Sequence, residues 1–465
     1  MNGVEGQPDW PAAFRERMAA WLGAGELEPF LAALARRDVG LRLNAARGAL
    51  PELLARLPWE TEPVPWCAEG RWFPEDEEAV GRHPYHTAGL YYVQDPSAMA
   101  AACLLQPRPG EWVIDLTAAP GGKATHLAAR MENQGVLVAN EVHRHRASVL
   151  AMNVERMGVT QALITNEYPD RLAERWAGLF DAALVDAPCS GEGTFARDPR
   201  SLADWSGGTM KAYSHRQQGI LDQAAPLVRP GGRLLYGTCT FSPEENEGTV
   251  AAFLAAHPDF EVATLPDLPG LHPGHPEWVG APETLRGAGR FWPHRGPGHG
   301  HFYALLHRRG EPAGPLPLQW EANEVPGRVL NLYREWVGPA LQGAPPEAGL
   351  VLSSDDQLYV VPLAPSYWEG LRVLRPGWWV ASLRHGRVEP NHALAMALRP
   401  SEATTTISLA PDDPRIAKFL RGGFWPDEGL AGHVLVTVDG LPLGWGKRGG
   451  GRLRSRYPMN LRRQH

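Results

Sequence analysis

Residues 111–131 read EWVIDLTAAPGGKATHLAARM, an apolar strand that runs through a turn of small residues into a helix. The alternation continues along the chain, with strands predicted at 111–117, 135–141, 162–166, 180–188, 231–239, 259–265 and 301–309. Between them the pattern predicts helices at 121–131, 143–158, 211–228 and 243–257. Strands that alternate with helices indicate a doubly wound, mainly parallel α/β sheet of about seven strands. Its ligand site is expected at the carboxyl ends of the strands.

The segments before and after this alternation predict additional small domains. Residues 1–75 combine three amphipathic segments with a short strand, GLRLNA, at 40–45. Residues 266–300 are rich in Pro, Gly and His and predict a long surface loop, and 310–327 has the composition of a linker. Near the C-terminus, HVLVTVDGLPLGWGKRGG (433–450) contains an Asp-Gly turn between apolar runs, which is typical of a hairpin. We therefore divide the chain into residues 1–75, 76–309, 310–388 and 389–465.

The composition is that of a globular protein without a membrane segment. Of the 465 residues, 43% are hydrophobic and 21% charged, and no apolar stretch approaches the ~20 residues that span a bilayer. The N-terminus lacks a basic region followed by an apolar core, so it is not a secretory leader. Cys67, Cys103, Cys189 and Cys239 are too widely spaced for a disulfide framework or a CxxC zinc site. We expect a cytoplasmic setting, no metal site, and a packing role for Cys67 and Cys103.

The distribution of charge is more informative than the net charge of −7. Residues 446–465 contain no acid and seven basic residues: Lys447, Arg448, Arg452, Arg454, Arg456, Arg462 and Arg463. A second basic cluster near the N-terminus consists of Arg36, Arg37, Arg42, Arg47 and Arg56. Clustered Lys and Arg are the electrostatic footprint of nucleic-acid binding, even in a chain whose total charge is negative.

The turn DLTAAPGGK, residues 115–123, favours a compact ligand that carries a negative group. Small residues let the backbone approach a ligand, and free amides at a helix start favour anions. A phosphate loop requires GxxxxGK[ST], but Thr117 replaces its first glycine and Ala124 follows the lysine. The dinucleotide pattern GxGxxG is also absent. What remains suits S-adenosylmethionine, with Glu141 at the next strand end placed either to bind ribose hydroxyls or to cap the following helix.

Two further turns place a cysteine at the end of a predicted strand. VDAPCSG, residues 185–191, puts Asp186 and Cys189 in one sharp turn, where an unpaired buried carboxylate would be costly. In YGTCTFSPEENE, residues 236–247, Cys239 precedes Ser-Pro-Glu-Glu (242–245), a pattern typical of a helix start with a capping serine and a glutamate three residues on. On residue chemistry alone, Cys239 is either a small core residue or a reactive thiol.

DLTAAPGGK, DAPCSGEGT and YGTCTFSPEENE, in this order, resemble the RNA (cytosine-C5) methyltransferase family. The resemblance covers residues 40–308, and the C-terminal part is similar to the bacterial 16S ribosomal RNA branch, the RsmF type. It implies a Rossmann-like class I methyltransferase core with an N-terminal α/β RNA-binding extension and small C-terminal domains that end in a PUA-like module. It further implies S-adenosylmethionine as cofactor, ribosomal RNA or the small ribosomal subunit as partner, no obligate protein partner, and a monomer.

The resemblance also implies individual residue roles. Cys239 is the expected nucleophile that adds to cytosine C6, and a helix start directly after it or a cation such as Lys123 would favour its thiolate. Cys189 is expected to assist breakdown of the covalent adduct, and Asp186 to bind the pyrimidine edge. The expected cofactor-binding residues are Ala118, Ala119, Pro120, Gly121, Gly122, Lys123, Glu141, Arg146, Asn166 and Asp186. For the adenine contact, Glu167 and Asp170 are alternatives to Asn166.

Two other functions remain open. One is the same chemistry on transfer RNA, and the other is a non-catalytic RNA-binding factor for ribosome assembly. The presence of Cys189, Cys239 and Asp186 together argues against the second, because a binding module has no need of them.

Overall fold

The computed structural model describes residues 10–36, 38–73, 77–311, 325–343 and 347–462. These residues form four β-sheets, of four, ten, four and five strands. Most of the predicted linker lies outside the described residues, as do Arg37 and Arg463. Within the described ranges, no helix has the length and apolar composition needed to cross a bilayer.

The first sheet has the antiparallel order β2-β3-β1-β4. Its region comprises α1 (Ala12–Leu22), α2 (Ala24–Leu34), β1 (Val39–Leu43), α3 (Leu50–Leu54), β2 (Glu62–Val64), β3 (Cys67–Phe73), α4 (Glu77–Arg82), α5 (Pro84–Thr87) and β4 (Tyr91–Val93). β1 overlaps the strand predicted at 40–45 and is buried along its whole length, because both of its faces are covered. Val39 and Leu41 pack into a hydrophobic cluster shared with the last domain, and Arg42 bonds to the turn of residues 115–123.

The central sheet has the order β11-β12-β13-β9-β8-β5-β6-β7-β16, with β10 paired to β13. Its elements are α6 (Pro96–Leu105), β5 (Trp112–Asp115), α7 (Gly122–Arg130), β6 (Val136–Asn140), α8 (Arg144–Arg156), β7 (Ala162–Thr165), α9 (Pro169–Trp176), β8 (Phe180–Asp186), α10 (Pro199–Ala203), α11 (Gly207–Ala224), β9 (Val228–Thr238), α12 (Glu247–Ala256), β10 (Phe260–Val262), β11 (His272–Pro273), β12 (Gly289–Phe291) and β13 (His301–Arg308). All seven predicted strands are present, and β5 to β9 are parallel as expected.

Helices cover both faces of the central sheet, so its parallel strands are apolar on both sides. One buried cluster packs α6, α7 and α8 against Val113, Leu137 and Leu184 of the strands. The other packs α9, α11 and α12 against the neighbouring strand residues Ile114 and Val138. Alternate residues of each strand therefore enter opposite hydrophobic layers, which confirms the doubly wound fold.

Two local predictions are wrong. The helix predicted from 243 begins only at Glu247, because Ser242 makes a turn in which its carbonyl accepts from two following amides and its hydroxyl bonds to Glu244. Residues 266–300 are not a loop throughout, since they contain β11 and β12. Arg290 of β12 is buried and donates to both carboxylate oxygens of Glu247, at 2.9 and 2.5 Å.

The remaining elements form two small sheets and add one strand, β16, to the central sheet. They comprise α13 (Gly327–Ala340), β14 (Leu350–Leu352), β15 (Gln357–Val360), α14 (Pro365–Trp368), β16 (Val373–Arg375), β17 (Trp378–Arg384), β18 (Arg387–Pro390), α15 (His392–Ala397), β19 (Thr406–Leu409), α16 (Pro414–Leu420), β20 (Phe424–Pro426), β21 (Gly432–Val438), β22 (Leu441–Gly449) and β23 (Arg452–Ser455). β16 pairs with β7 at the edge of the central sheet. The predicted hairpin is β21–β22, whose turn residues Asp439 and Gly440 both have positive φ, 45° and 79°, as its turn type requires.

Candidate active site

The three sequence motifs meet at the carboxyl edge of the central sheet. The strand register places Asp115 beside Leu184, and Asp186 beside Gly237. Cys239 follows Gly237 by two residues, so the turns after β5, β8 and β9 open on the same side. They surround a cavity of about 590 Å³ whose walls include Lys123, Glu141, Arg146, Asp186, Cys189, Cys239 and His301.

Two cysteines face each other in this cavity. The Sγ atoms of Cys189 and Cys239 lie 3.3 Å apart. The hydrogen bond to Cys239, together with burial, raises the pKa of the Cys189 thiol well above its ordinary value. Cys189 therefore keeps its proton and is able to donate it to the sulfur of Cys239.

A cation and a carboxylate lie beside the two thiols. Lys123 Nζ contacts Asp186 Oδ2 at 2.7 Å. Burial lowers the pKa of Lys123, but Asp186 and the nearby Cys239 raise it, and the balance lies above its ordinary value. The site thus holds an ammonium group near Cys239, whereas the helix that was predicted from residue 243 begins at Glu247.

Two buried glutamates hold the cysteine turns together, and we call this pair the carboxylate clamp. Glu245, which follows Cys239, accepts from the amide and hydroxyl of Ser190, at 2.9 and 2.5 Å. Glu192, which follows Cys189, accepts from the hydroxyl of Thr240 and the amide of Phe241, at 2.9 and 2.8 Å. Each turn therefore contributes one carboxylate that accepts hydrogen bonds from the other turn. The sequence pattern assigned Glu245 to a helix cap and missed this role.

The opposite end of the cavity contains the predicted ribose acid. Glu141 is buried and contacts Arg146 at 3.0 Å, and Arg146 also donates to the carbonyl of Ala119. Asn166 does not line the cavity, because its side chain donates to the carbonyls of Glu141 and Val142. Its neighbours Tyr168 and Pro169 form the wall there instead.

A smaller cavity of about 160 Å³ adjoins the first at the turn of residues 115–123. It shares Ala119, Lys123 and Asp186 with the larger cavity, and Asp115, Ala118, Pro120 and Gly122 also line it. Gly121 lies outside both linings and packs against Leu150 and Asn153, in a left-handed backbone conformation that favours glycine.

Asp115 presents an incompletely bonded carboxylate to this smaller cavity. Its Oδ2 is buried and has no hydrogen-bond partner among the described residues. Burial and the neighbouring Asp186 raise the pKa of Asp115 to about 7. A ligand that brings a cationic group would satisfy this oxygen, because buried carboxylates otherwise remain paired or hydrogen-bonded.

The sequence reasoning missed His301, which lines the larger cavity. Its Nδ1 lies 2.8 Å from the hydroxyl of Ser97, and that hydroxyl donates to Asp95. Burial disfavours the ionised form of Asp95, but its bonds to His299 outweigh this and hold its pKa below the ordinary range. Because Ser97 gives its proton to Asp95, His301 donates from Nδ1 and keeps a lone pair on Nε2. Burial and Lys123 lower the pKa of His301 to about 4, so the ring is neutral at pH 7.

The described arginines of the N-terminal basic cluster form hydrogen bonds within the protein. Arg42 is fully buried and donates to Gln94, to the carbonyl of Gly122 and to Thr125. Arg36, Arg47 and Arg56 each donate to backbone carbonyls elsewhere in the chain. Arg42 of this cluster does not face nucleic acid, because its guanidinium group lies inside the protein.

The fold and the site define the class of protein: a Rossmann-like methyltransferase with a pair of cysteines in its active-site cavity. Four family models match consecutive parts of the chain. Residues 10–96 match the N-terminal domain of 16S rRNA methyltransferase RsmF, and 102–307 match 16S rRNA methyltransferase RsmB/F. Residues 335–398 match the first C-terminal domain of RsmF rRNA methyltransferase, and 406–463 match the RsmF PUA domain.

Whole-length relatives agree with these matches. The chain is 32% identical over 474 residues to ribosomal RNA small subunit methyltransferase F of Escherichia coli O139:H28, covering 97% of this chain and 96% of that protein. It is 32% identical over 472 residues, with the same coverage, to the protein of that name from Cronobacter sakazakii. The crystal structure of a methyltransferase homologue from Pyrococcus horikoshii superimposes with a TM-score of 0.57 at 28% identity, over 64% of this chain and 96% of that chain. The protein belongs to the RsmF family of 16S ribosomal RNA methyltransferases.

The carboxylate clamp predicts a pH-dependent stability. Burial raises the pKa of Glu245 to about 7, above its ordinary 4.5, so the folded protein binds this proton more tightly than the unfolded chain. The resulting stabilisation is complete below about pH 4.5 and is lost as the pH rises through about 7, at about 1.4 kcal/mol per pKa unit. In a Glu245→Gln variant this titration is absent. Thermal unfolding measured from pH 5 to pH 8 should therefore show a steeper fall for the wild type than for the variant.

The exposed Glu132 supplies the matched control for this measurement. A Glu132→Gln variant should keep the pH profile of the wild type. Parallel profiles for the wild type and Glu245→Gln would show that Glu245 does not titrate in this range.

Proposed function

We propose that the protein transfers a methyl group from S-adenosylmethionine to C5 of a cytosine in 16S ribosomal RNA. The observation that carries this proposal is the pair Cys189 and Cys239, 3.3 Å apart, in a cavity that also contains Lys123 and Asp186. Cytosine C5 is too weak a nucleophile to accept a methyl group unaided, so a thiol must first activate the ring. The cavity contains two thiols that are candidates for this role, and membership of the RsmF family supports 16S ribosomal RNA as the substrate.

The cofactor-binding residues fit S-adenosylmethionine. The buried Asp115 oxygen suits the amino group of the methionine end, and the Ala118–Lys123 turn leaves room for its carboxylate. Glu141, held by Arg146, suits the ribose hydroxyls, and Tyr168 with Pro169 offers a wall for the adenine. Asn166 then acts indirectly, by fixing the backbone of Glu141.

Addition begins at Cys239. Its thiolate attacks cytosine C6, the new S–C6 bond forms, and the electrons of the C5–C6 double bond make C5 enamine-like. Asp186 accepts a hydrogen bond from the amino edge of the pyrimidine, while Lys123 balances the negative charge nearby. S-adenosylmethionine, when bound, would supply the methyl group to C5 and would keep the electron pair of the broken methyl–sulfur bond as a neutral thioether.

Release requires loss of the C5 proton and departure of the sulfur. His301 accepts the proton on Nε2, the C–H electrons restore the C5–C6 double bond, and the S–C6 bond breaks. The sulfur of Cys239 leaves as a thiolate. Cys189, still protonated, donates a hydrogen bond to that sulfur and makes it a better leaving group.

The test of the proposed function is methyl incorporation from labelled cofactor. We expect label in isolated small subunits or naked 16S ribosomal RNA but not in transfer RNA, at C5 of cytosine. Cys239→Ala should abolish incorporation while retaining cofactor binding, measured by calorimetry. Label in transfer RNA alone would show that the substrate is transfer RNA and not 16S ribosomal RNA. No label in any of the three would favour the alternative function, an RNA-binding assembly factor without activity. Substantial methylation by Cys239→Ala would refute the assignment of Cys239 as the nucleophile.

The proposed roles of Cys189 and His301 in breaking down the covalent protein–RNA adduct lead to a separate prediction. Cys189→Ala and His301→Asn should both accumulate a protein–RNA adduct that survives denaturation, because addition proceeds while release fails. Removal of a general base typically slows its step by 10²- to 10⁴-fold. Denaturing gels of variant and RNA should show the shifted band, and adding Cys239→Ala to either variant should abolish it. A His301→Asn variant that turns over at the wild-type rate would exclude His301 as the proton acceptor.

RNA contacts outside the active site are proposed for a basic cleft between the last two sheets. The cleft has a volume of about 1040 Å³, and its lining includes Arg375, Arg384, Arg387, Arg454, Arg456 and Arg462. Two other cations of the C-terminal cluster are paired within the chain, since Lys447 contacts Glu389 and Arg448 contacts Asp427. Among the arginines of the cleft, Arg375 lies 3.9 Å from Glu155. The cleft therefore gathers arginines from two domains into one surface that suits phosphates.

Replacing Arg387 and Arg454 together by alanine should weaken RNA binding and reduce the slope of log affinity against log salt by about 2, one per phosphate contact. Fluorescence anisotropy with a 16S fragment at several salt concentrations measures this slope. Arg171→Ala with Arg334→Ala is the matched control, because both arginines are exposed and lie outside the cleft. Equal slopes for all three proteins would exclude the cleft as an RNA-binding surface.

A further inference from the structure

Two cysteines that play no part in the proposed chemistry meet away from the active-site cavity. Cys67 on β3 and Cys103 on α6 are 1% and 6% exposed, and His126 on α7 is 1% exposed. The two sulfurs and one ring nitrogen of His126 all lie within 4.8 Å of one another. The sequence separates these residues by 36 and 23 positions, so their spacing shows no metal motif, and the fold brings them together.

Two polar residues complete the cluster. Glu69 Oε2 lies 3.4 Å from the sulfur of Cys67. Arg130 donates to Glu69 at 3.3 Å, to the sulfur of Cys103 at 3.2 Å, and to Nε2 of His126 at 3.2 Å. The cluster therefore contains two thiols, one imidazole, one carboxylate and one guanidinium group.

The imidazole is incompletely bonded. Nδ1 of His126 is buried and has no hydrogen-bond partner among the described residues. Buried ring nitrogens are normally satisfied by a hydrogen bond or by a ligand, so His126 retains unused bonding capacity beside the two thiols.

We propose that Cys67, Cys103, His126 and Glu69 bind a structural Zn²⁺ ion. Thiolate and imidazole together favour zinc over the hard cations magnesium and calcium, and a carboxylate is an accepted fourth ligand. A tetrahedral site with Zn–S bonds of about 2.3 Å separates its ligand atoms by about 3.8 Å. The two sulfurs and the His126 nitrogen, which lie within 4.8 Å of one another, reach that geometry when they close by roughly 1 Å, and Glu69 Oε2 lies 3.4 Å from the sulfur of Cys67.

The charges also balance. Zn²⁺ with two thiolates and one carboxylate carries a net charge of −1, and Arg130 lies beside both Cys103 and Glu69 as the compensating cation. Outer groups of this kind orient the ligands and neutralise the site. All four ligand positions come from the protein, so the ion has no open position for a substrate and its role is structural.

The site would fasten the first sheet to the catalytic core. Cys67 and Glu69 belong to β3, Cys103 to α6 and His126 to α7. α6 carries Ser97, the partner of His301, and α7 begins at the cofactor turn. Metal binding therefore holds in place the two helices that support the active site.

Elemental analysis of the untagged, full-length protein, purified under reducing conditions, tests the proposal. We expect one zinc per chain in the wild type and in a Cys189→Ser/Cys239→Ser control, which removes the same number of thiols. Cys67→Ser/Cys103→Ser should contain none. Equal zinc content in the two double variants, or a metal-free wild type that fails to bind added Zn²⁺, would overturn the site.

Cobalt substitution keeps the test decisive if Cys67→Ser/Cys103→Ser does not fold. Chelator-treated wild type titrated with Co²⁺ should develop thiolate-to-cobalt charge-transfer bands and the intense visible bands of tetrahedral cobalt, with an end point of one ion per chain. Glu69→Gln should weaken Co²⁺ binding and alter these bands. A weak octahedral spectrum without charge transfer would refute thiolate coordination in the intact protein.

Discussion

The active site depends on two buried carboxylates, each of which extends from one cysteine-bearing turn and accepts hydrogen bonds from the other turn. Glu192 accepts from the hydroxyl of Thr240 and the amide of Phe241. In the opposite direction, Glu245 accepts from the amide of Ser190. A direct bond between Ser190 and Thr240, and another from the amide of Gly193 to the carbonyl of Cys239, complete the connection. Because these bonds are directional, they fix the separation of the two sulfurs more precisely than apolar packing would.

Two further contacts hold this unit in the fold. Arg290 bonds to both oxygens of Glu247 and to the carbonyl of Phe241, and so fixes the end of the Cys239 turn to β12 and α12. Arg42 reaches from the first sheet to the carbonyl of Gly122 and fixes the cofactor turn from the other side. Arg290 and Glu247 are both buried, and removing one partner of such an ion pair typically costs about 3–5 kcal/mol, whereas the partners of Arg42 are neutral groups. The N-terminal region is thus part of the support of the catalytic domain.

Much of this architecture could be predicted from local sequence patterns. Seven strands followed from apolar runs bounded by turns, and the placement of Asp186, Cys189 and Cys239 at strand ends followed from the parallel sheet. The errors arose where a residue interacts with a distant part of the chain. Glu245 has the spacing of a helix cap, but burial beside Ser190 gives it another partner. Arg290 lies in a segment without periodicity, and its partner Glu247 is 43 residues away.

The buried acids oppose global stability and favour a preorganised site. Burial raises the pKa of both Glu192 and Glu245, which means that their ionised forms are disfavoured in the folded chain. Apolar residues of similar size would avoid this cost, but they would leave the amides of Ser190 and Phe241 without acceptors. An acceptor at each of these amides holds both turns in one conformation before any ligand arrives. The two sulfurs therefore need little reorganisation to keep their mutual contact, and such preorganisation is a main source of catalytic power in enzymes.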